Sequence, residues 1–420
     1  MKELIDEKEK IISQNFIYLF ALFALFVLVT MCITLIGNKV NLKKAESFSK
    51  VEVEDRLVPQ KDENGYWTFT TDREMKVLQL TDVHIGGGWM SLKKDAMALN
   101  AVAAMVTAEK PDLVIATGDI AYPVPFQAGT FNNRSGAKLF AALMEQLGVY
   151  WTVTFGNHDT ELYSYYSREK IADFYENSGF KYCLFQSGPE DIDGYGNTVI
   201  NVKNTDGKIT QSLFLMDSHS YADGDYFGIF WKYDNIHENQ VEWYKETVQK
   251  LNSYNASVTG NKNEVVASNV FIHIPLVEQK DAWYEYVNNG FKDTENVKYI
   301  YGDAGEGSNV VYPGIGEDSM FETILELGST KAVFFGHDHR KNFSVEYKGI
   351  RLTYGMSVDY LAYPGIYKEG AQRGCTVITY KPDGSFDIKA ENYYQEKYQL
   401  EYAKETVVMQ EVTYLADLPE

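Results

Sequence analysis

Cysteine is nearly missing from this sequence. Its 420 residues hold three thiols, Cys32, Cys183 and Cys375, with no CxxC pair among them. Three cysteines cannot build a disulfide framework. The one bridge left open is Cys183 to Cys375. Positive charge is short as well: 39 Lys and Arg stand against 59 Asp and Glu, a formal net charge of -20. A surface that acidic repels a phosphate backbone, which argues against binding a nucleic-acid duplex. No GxSxG elbow and no CxxxxxR pocket occurs, so these serine and cysteine nucleophile sites are excluded. Internal repeats and long low-complexity tracts are absent too.

What is present is globular composition, 45% hydrophobic and 23% charged. After a charged tail at 1–15, residues 16–36 run without a charge, Gly or Pro. About 20 apolar residues match the hydrocarbon thickness of a bilayer, and the run exceeds the h-region of a cleavable signal. We read 16–36 as a single-pass transmembrane anchor and 37–64 as a linker or stalk. Lysines flank the run on both sides (Lys2, Lys8, Lys10; Lys39, Lys43, Lys44, Lys50), so charge asymmetry does not set the orientation. Scarce thiols and abundant Tyr, Asn and Gly place the large C-terminal part outside the cytoplasm. Residues 65–390 form the expected domain and 391–420 a C-terminal extension.

Within that domain, apolar strands at 75–81, 112–117 and 149–155 alternate with helical spacing at 91–109 and 136–147, Ser91 being an N-cap candidate. Each strand ends in a polar cluster: Asp82 and His84, then Asp119, then Asn157, His158 and Asp159. A later strand at 264–272 ends in His273, and one at 331–335 runs into Gly336-His337-Asp338-His339. Residues i and i+2 of an extended chain point the same way, so His337 and His339 aim two imidazoles into one space, with Gly336 allowing a sharp turn. Five of the seven histidines sit in these clusters. In α/β units the crevice at the carboxyl ends of the strands is where sites form. Residues 276–316 read as a loop-rich insertion beside that crevice.

The ordered set Asp82-x-His84, Gly118-Asp119, Gly156-Asn157-His158-Asp159, His273 and Gly336-His337-x-His339 resembles the five-block signature of the calcineurin-like metallophosphoesterases. Met216-Asp217-Ser218, Gln240 to Trp243 and His273-Ile274-Pro275 look like the branch related to purple acid phosphatases. The resemblance implies a four-layer α/β/β/α sandwich and a binuclear centre of Mn, Fe or Zn. Carried over, one ion would be held by Asp82, His84 and His339 and the other by Asn157, His273 and His337. Asp119 would bridge them, one oxygen to each. A water between the ions would attack a phosphate mono- or diester in line, with His158 protonating the leaving oxygen and Asp159 orienting His158. The competing reading is a binding or scaffold module that keeps the fold without turnover.

Tyr122 matches the iron-binding Tyr of purple acid phosphatases, but those enzymes lack the first-block histidine that this chain has as His84. Tyr122 is therefore expected to pack or touch substrate. His219 is expected on a solvent-facing loop, His237 on the surface or at a helix cap. Asp338 should point away from the site as support, and Asn342 should bond substrate or turn the chain. The aromatics Tyr221, Tyr226, Phe227, Trp231, Trp283 and Tyr301 are read as core or as a stacking surface.

Overall fold

The computed structural model describes residues 2–398 apart from 226, 303, 305–309, 317, 364–365 and 367–372. The chain opens on α1 (Lys2–Ala45), and β1 (Gln60–Lys61) then pairs with β2 (Trp67–Thr70). Next come β3 (Met75–Leu80), α2 (Leu92–Glu109), β4 (Leu113–Thr117), α3 (Asn133–Leu147) and β5 (Tyr150–Thr154). Helix α4 (Arg168–Asn177) leads to the antiparallel pair β6 (Thr198–Lys203) and β7 (Ile209–Leu215). They are followed by α5 (Glu238–Thr259), β8 (Ser268–Phe271), α6 (Val277–Asn288), β9 (Val297–Tyr301), α7 (Met320–Leu327) and β10 (Thr330–Phe335). Strands β11 (Ser344–Tyr347), β12 (Ile350–Tyr354), β13 (Gly374–Tyr380) and β14 (Phe386–Asn392) close the domain.

Two sheets result. One runs β14-β13-β3-β4-β5, and the other β1-β2-β6-β7-β8-β10-β12-β11-β9. The period of two along each strand sorts its side chains into layers. On β4, Leu113 and Ile115 face the second sheet, while Val114 and Ala116 face α2 and α3. On β10, Ala332 and Phe334 join the same inter-sheet core, while Val333 and Phe335 pack under α5 to α7. Burying both faces explains why these strands read as unbroken apolar runs. Helices outside and two sheets inside make the four-layer sandwich.

Some boundaries differ from expectation. The insertion at 276–316 is not mainly loop: it begins with α6, whose Ala282, Trp283 and Tyr286 are buried, and contains β9. Residues 37–64 carry the last turns of α1 and then lie against the domain, with Ala45, Phe48 and Val51 in the core beside α2 and α3. Asn41 donates to Leu92 O at 2.9 Å and Arg56 Nη2 to Val51 O at 2.9 Å. Ser91 stands at the α2 N-terminus, but its hydroxyl serves Gly88 and Asp95 instead of the helix N–H groups. Of 391–420, the described part packs back: Tyr393, Tyr394 and Tyr398 are buried, and Tyr398 donates to Glu109 at 2.6 Å. Cys183 and Cys375 are both free, so the bridge left open does not form.

Candidate metal centre

Parallel strands end on a common rim, and the polar clusters follow those ends directly. Asp82 and His84 leave β3, Asp119 leaves β4, Asn157 leaves β5, His273 leaves β8, and His337 and His339 leave β10. The backbone is bent hard to do this. Asp82, His84, Asp119 and His337 all have positive φ, between 49° and 75°. For non-glycine residues this is disfavoured backbone, and such strain gathers at functional sites. Glycine clears the space between. A Cβ on Gly118 (φ +83°) would lie 2.5 Å from His273 Nδ1 and 2.7 Å from Gly156 N. Gly336 has another reason than the expected turn. Its φ is not positive, and a Cβ there would run into the Thr81 hydroxyl and Asp82.

All seven expected ligands converge. His84 Nε2 and His273 Nε2 lie 3.3 and 3.2 Å from the same oxygen, Asp119 Oδ2. Asp119 Oδ1 is taken by the His158 N–H at 2.8 Å. Both Asp119 oxygens were expected to reach the centre; in the structure one oxygen faces both halves and the other takes a backbone N–H. On one side, Asp82, His84, Asp119 and His339 offer ligand atoms that all lie within 4.8 Å of one another. On the other, Asn157 Oδ1 stands 3.3 Å from His273 Nε2 and 3.0 Å from His337 Nδ1.

These contacts point to cations. His273 Nδ1 lies 2.8 Å from Thr117 O, the distance of a donated hydrogen bond, which leaves its Nε2 as a lone pair aimed at Asp119. The His84 ring lies between two carboxylates, its Nδ1 3.1 Å from Asp359 Oδ1 and its Nε2 3.3 Å from Asp119 Oδ2. Asp82 Oδ1 is buried with no hydrogen-bond partner. Buried lone pairs facing one another are unfavourable unless a positive charge sits among them. The donor set of imidazole, amide oxygen and carboxylate fits Mn, Fe or Zn. Titration behaviour shows the same crowding. Burial pushes Asp82 up to about 6. Burial and the charge of His84 push His339 down to about 3. Asp119 draws positive charge to this place: burial alone would lower His273, but Asp119 overrides it and raises the imidazole to about 9, so a proton and a metal ion would compete for Nε2.

His158 sits at the edge of the centre and lines an open recess of about 290 Å³ with Trp231, Tyr233, Tyr312, His339 and Tyr363. Burial disfavours its charged form, yet Asp119 and Glu161 raise its pKa. The expected partner, Asp159, does not orient it. The Asp159 carboxylate accepts the N–H groups of Asp119, Ala121 and Gly156 at 2.8–2.9 Å and so ties the β4 and β5 loops together. The orienting group is Glu161, whose Oε1 lies 2.6 Å from His158 Nδ1 and also accepts the Tyr221 hydroxyl at 3.0 Å. The i,i+3 spacing of His158 and Glu161 was the available signal. Asp359 was missed as well. It contacts His84 and His339 and accepts the N–H groups of Leu361, Ala362 and Tyr363 at 2.6–2.8 Å. It lies after β12 in a stretch with no motif.

Tyr122 packs on the rings of both His84 and His158, each at 4.8 Å, and burial together with Asp359 pushes its phenol pKa up. Asp338, expected to point away, lines the recess with His337 and His339; Tyr354 donates to it, as does Tyr312 N at 3.3 Å. Asn342 is buried against Gly302. The aromatics divide, Tyr226 lying outside the described residues. Trp283 and Tyr301 are core, Tyr221 bonds Asn157 at 3.1 Å, and Phe227 and Trp231 are exposed, Trp231 at the mouth of the recess. His219 is not on a solvent-facing loop. It stacks on His237 with ring centres 3.9 Å apart and contacts Gln240 at 2.9 Å. His237 caps α5.

The model of the calcineurin-like phosphoesterases matches residues 75–341. The chain belongs to that family. Among its relatives are two proteins of Arabidopsis thaliana. One, named probable inactive purple acid phosphatase 14, is 30% identical over 70% of this chain and 73% of its own length. The other, probable inactive purple acid phosphatase 28, is 26% identical over the same shares. A solved dimetal phosphatase of Danio rerio is similar at 11% identity with a TM-score of 0.48, covering 77% of this chain and 97% of that one.

Proposed function

We propose that this chain is a binuclear-metal phosphoesterase that hydrolyses phosphate mono- or diesters. The observation that carries this reading is convergence: seven ligating side chains from five separate strand ends, with an oriented histidine beside them. Asp82, His84 and His339 would hold one ion and Asn157, His273 and His337 the other, with Asp119 placed between them. Two bound ions would supply charge neutralisation for the phosphate oxygens and an acidified water for in-line attack. The chain's own groups do the rest. Glu161 holds Nδ1 of His158, which fixes the ring and leaves Nε2 to give a proton to the leaving oxygen. Asp159 keeps the loops carrying Asp119 and Asn157 in register. Trp231, Tyr233 and Tyr363 wall the recess where the ester's organic group enters.

We also propose that α1 is a single-pass membrane anchor, with the phosphoesterase domain outside the cytoplasm. Residues Phe16 to Ile36 are almost wholly exposed in the fold, and an apolar surface that large needs a non-aqueous partner.

The names of the Arabidopsis relatives favour a second reading, a metal-holding module without turnover. The two readings part on one experiment. The full chain in detergent is assayed on aryl phosphomonoesters and phosphodiesters, with and without manganese, beside His158→Ala. An enzyme shows metal-dependent turnover that the substitution lowers steeply while metal content stays. A module binds metal equally in both and turns over neither ester.

A further inference from the structure

The loops that follow the ligand-bearing strands do a second thing. Past His84 the chain exposes Met90, past Asp119 it exposes Phe126 and Phe131, and past His158 it exposes Tyr165. Phe126 is 89% exposed, an unusual degree for a phenylalanine in an ordered fold. These side chains are not scattered. With Trp89 they face Phe26 to Leu35 of α1 across an apolar groove of about 650 Å³. Phe26 meets Trp89 edge to face at 6.0 Å, and Phe131 stacks on Tyr165 at 6.1 Å.

Their depth along α1 decides what covers them. At 1.5 Å per residue, Phe26 to Leu35 spans about 14 Å, close to half of a bilayer's hydrocarbon core. All of it lies inside the apolar run Phe16–Ile36. The helix is pinned to the domain just beyond, where Asn38 donates to Gly87 O at 2.7 Å and Asn41 to Leu92 O at 2.9 Å. The loops therefore sit at the depth of acyl chains and not above them. One turn further on, the chemistry changes to positive. Lys39 and Lys138 line a recess with Leu35, Asn38 and Ser135, and Lys93 is exposed on the first turn of α2. On a chain with a net charge of -20, a basic group directly above an apolar collar matches headgroup phosphates over acyl chains.

We infer that Met90, Phe126, Phe131 and Tyr165 form a collar that seats the domain in the lipid leaflet crossed by α1, with Lys39, Lys93 and Lys138 on anionic headgroups. This rests on reading α1 as a membrane span. The collar and the metal centre then share one rim of the molecule.

The test uses the full chain carrying Cys32→Ser, with an environment-sensitive fluorophore on Phe126→Cys. The exposed position of Phe126 makes that substitution tolerable to the fold. Matching labels go on Phe20→Cys in the span and on Phe291→Cys, an exposed site beyond α6. Each protein is placed in phosphatidylglycerol–phosphatidylcholine vesicles whose acyl chains carry bromine, a contact quencher. The collar predicts quenching at 126 close to that at 20 and several-fold that at 291. Quenching at 20 with 126 behaving like 291 overturns the collar and leaves the anchor standing. A 126 label quenched neither by bromolipid nor by aqueous iodide also overturns it, since a second copy of the chain then covers the site. No quenching at 20 removes the anchor and the collar together. Turnover is not part of the readout, so the phosphoesterase reading is untouched by any of these results.

Discussion

Removing the Glu161 carboxylate should disable proton delivery and leave the metal centre intact. Glu161 is buried, contacts His158 Nδ1 at 2.6 Å and takes the Tyr221 hydroxyl at 3.0 Å. It is not one of the seven convergent ligands. In Glu161→Ala, the His158 ring keeps its packing on Tyr122 but loses the hydrogen bond that fixes Nδ1. A hydrogen bond to a charged group contributes about 1.5–3 kcal/mol, which at about 1.4 kcal/mol per decade is roughly a 10- to 150-fold loss in kcat. Glu161→Gln keeps an acceptor oxygen and should cost about tenfold or less, the difference between charged and neutral acceptors. The assay is a leaving-group series. An aryl ester with an acidic phenol barely needs a proton, whereas an alkyl ester does, so the loss should be steepest for alkyl esters. Metal content and KM should hardly move. The control is Asp159→Asn, whose damage should appear in the melting temperature, because three backbone N–H groups depend on that carboxylate. The reasoning fails if Glu161→Ala hydrolyses alkyl esters at the wild-type rate. It fails equally if Asp159→Asn melts normally and loses only turnover of poor leaving groups.

Asp359→Asn should weaken metal binding about 10- to 100-fold, as loss of a histidine-orienting carboxylate does, measured by competition with a chelating dye. Gly118→Ala should lower stability by about 2 kcal/mol or more in thermal unfolding, since alanine at φ +83° is strained and its Cβ meets His273. Glu278→Gln should stabilise the protein at pH 8 and do nothing below pH 4.5. Burial and the acidic neighbours Asp318, Glu322 and Asp281 push Glu278 up to about 7. The folded state then binds its proton more tightly than the unfolded chain, so wild-type stability falls as pH rises from 4.5 to 7. Because Glu278 is partly exposed, the gain should be about 1 kcal/mol after solvent screening, read as a melting-temperature difference between the two pH values.

The layers and the convergence of the seven candidate ligands were legible because they rest on short-range signals. Buried strands read as apolar runs, and each ligand lies within a few residues of a strand end. What the sequence hid depends on contacts across the fold. Nothing local shows that Asp119 turns one oxygen to both halves while the other takes a backbone N–H, since that follows from where the His158 loop lands. Asp359 reaches His84 across 275 residues of chain, and no spacing encodes it. Asp159 and Glu161 were separable only in three dimensions, because both lie near His158 in sequence and the short helical turn at 158–160 swings one carboxylate inward. His219 looked like a loop residue, but Gln240 on α5 draws it into a stack. The linker reading of 37–64 failed for a plainer reason: few apolar residues mark it, and Ala45, Phe48 and Val51 are enough to dock it.

The most direct test counts metal and turnover together. The full chain, reconstituted with manganese, zinc or iron and freed of loose ions, is assayed for metal per chain and for hydrolysis of an aryl phosphate, beside Asp119→Ala. The account predicts two ions per chain, metal-dependent hydrolysis, and loss of both when the shared carboxylate is removed. Two tightly held ions with no hydrolysis of any ester tried, or hydrolysis that survives Asp119→Ala, would contradict it.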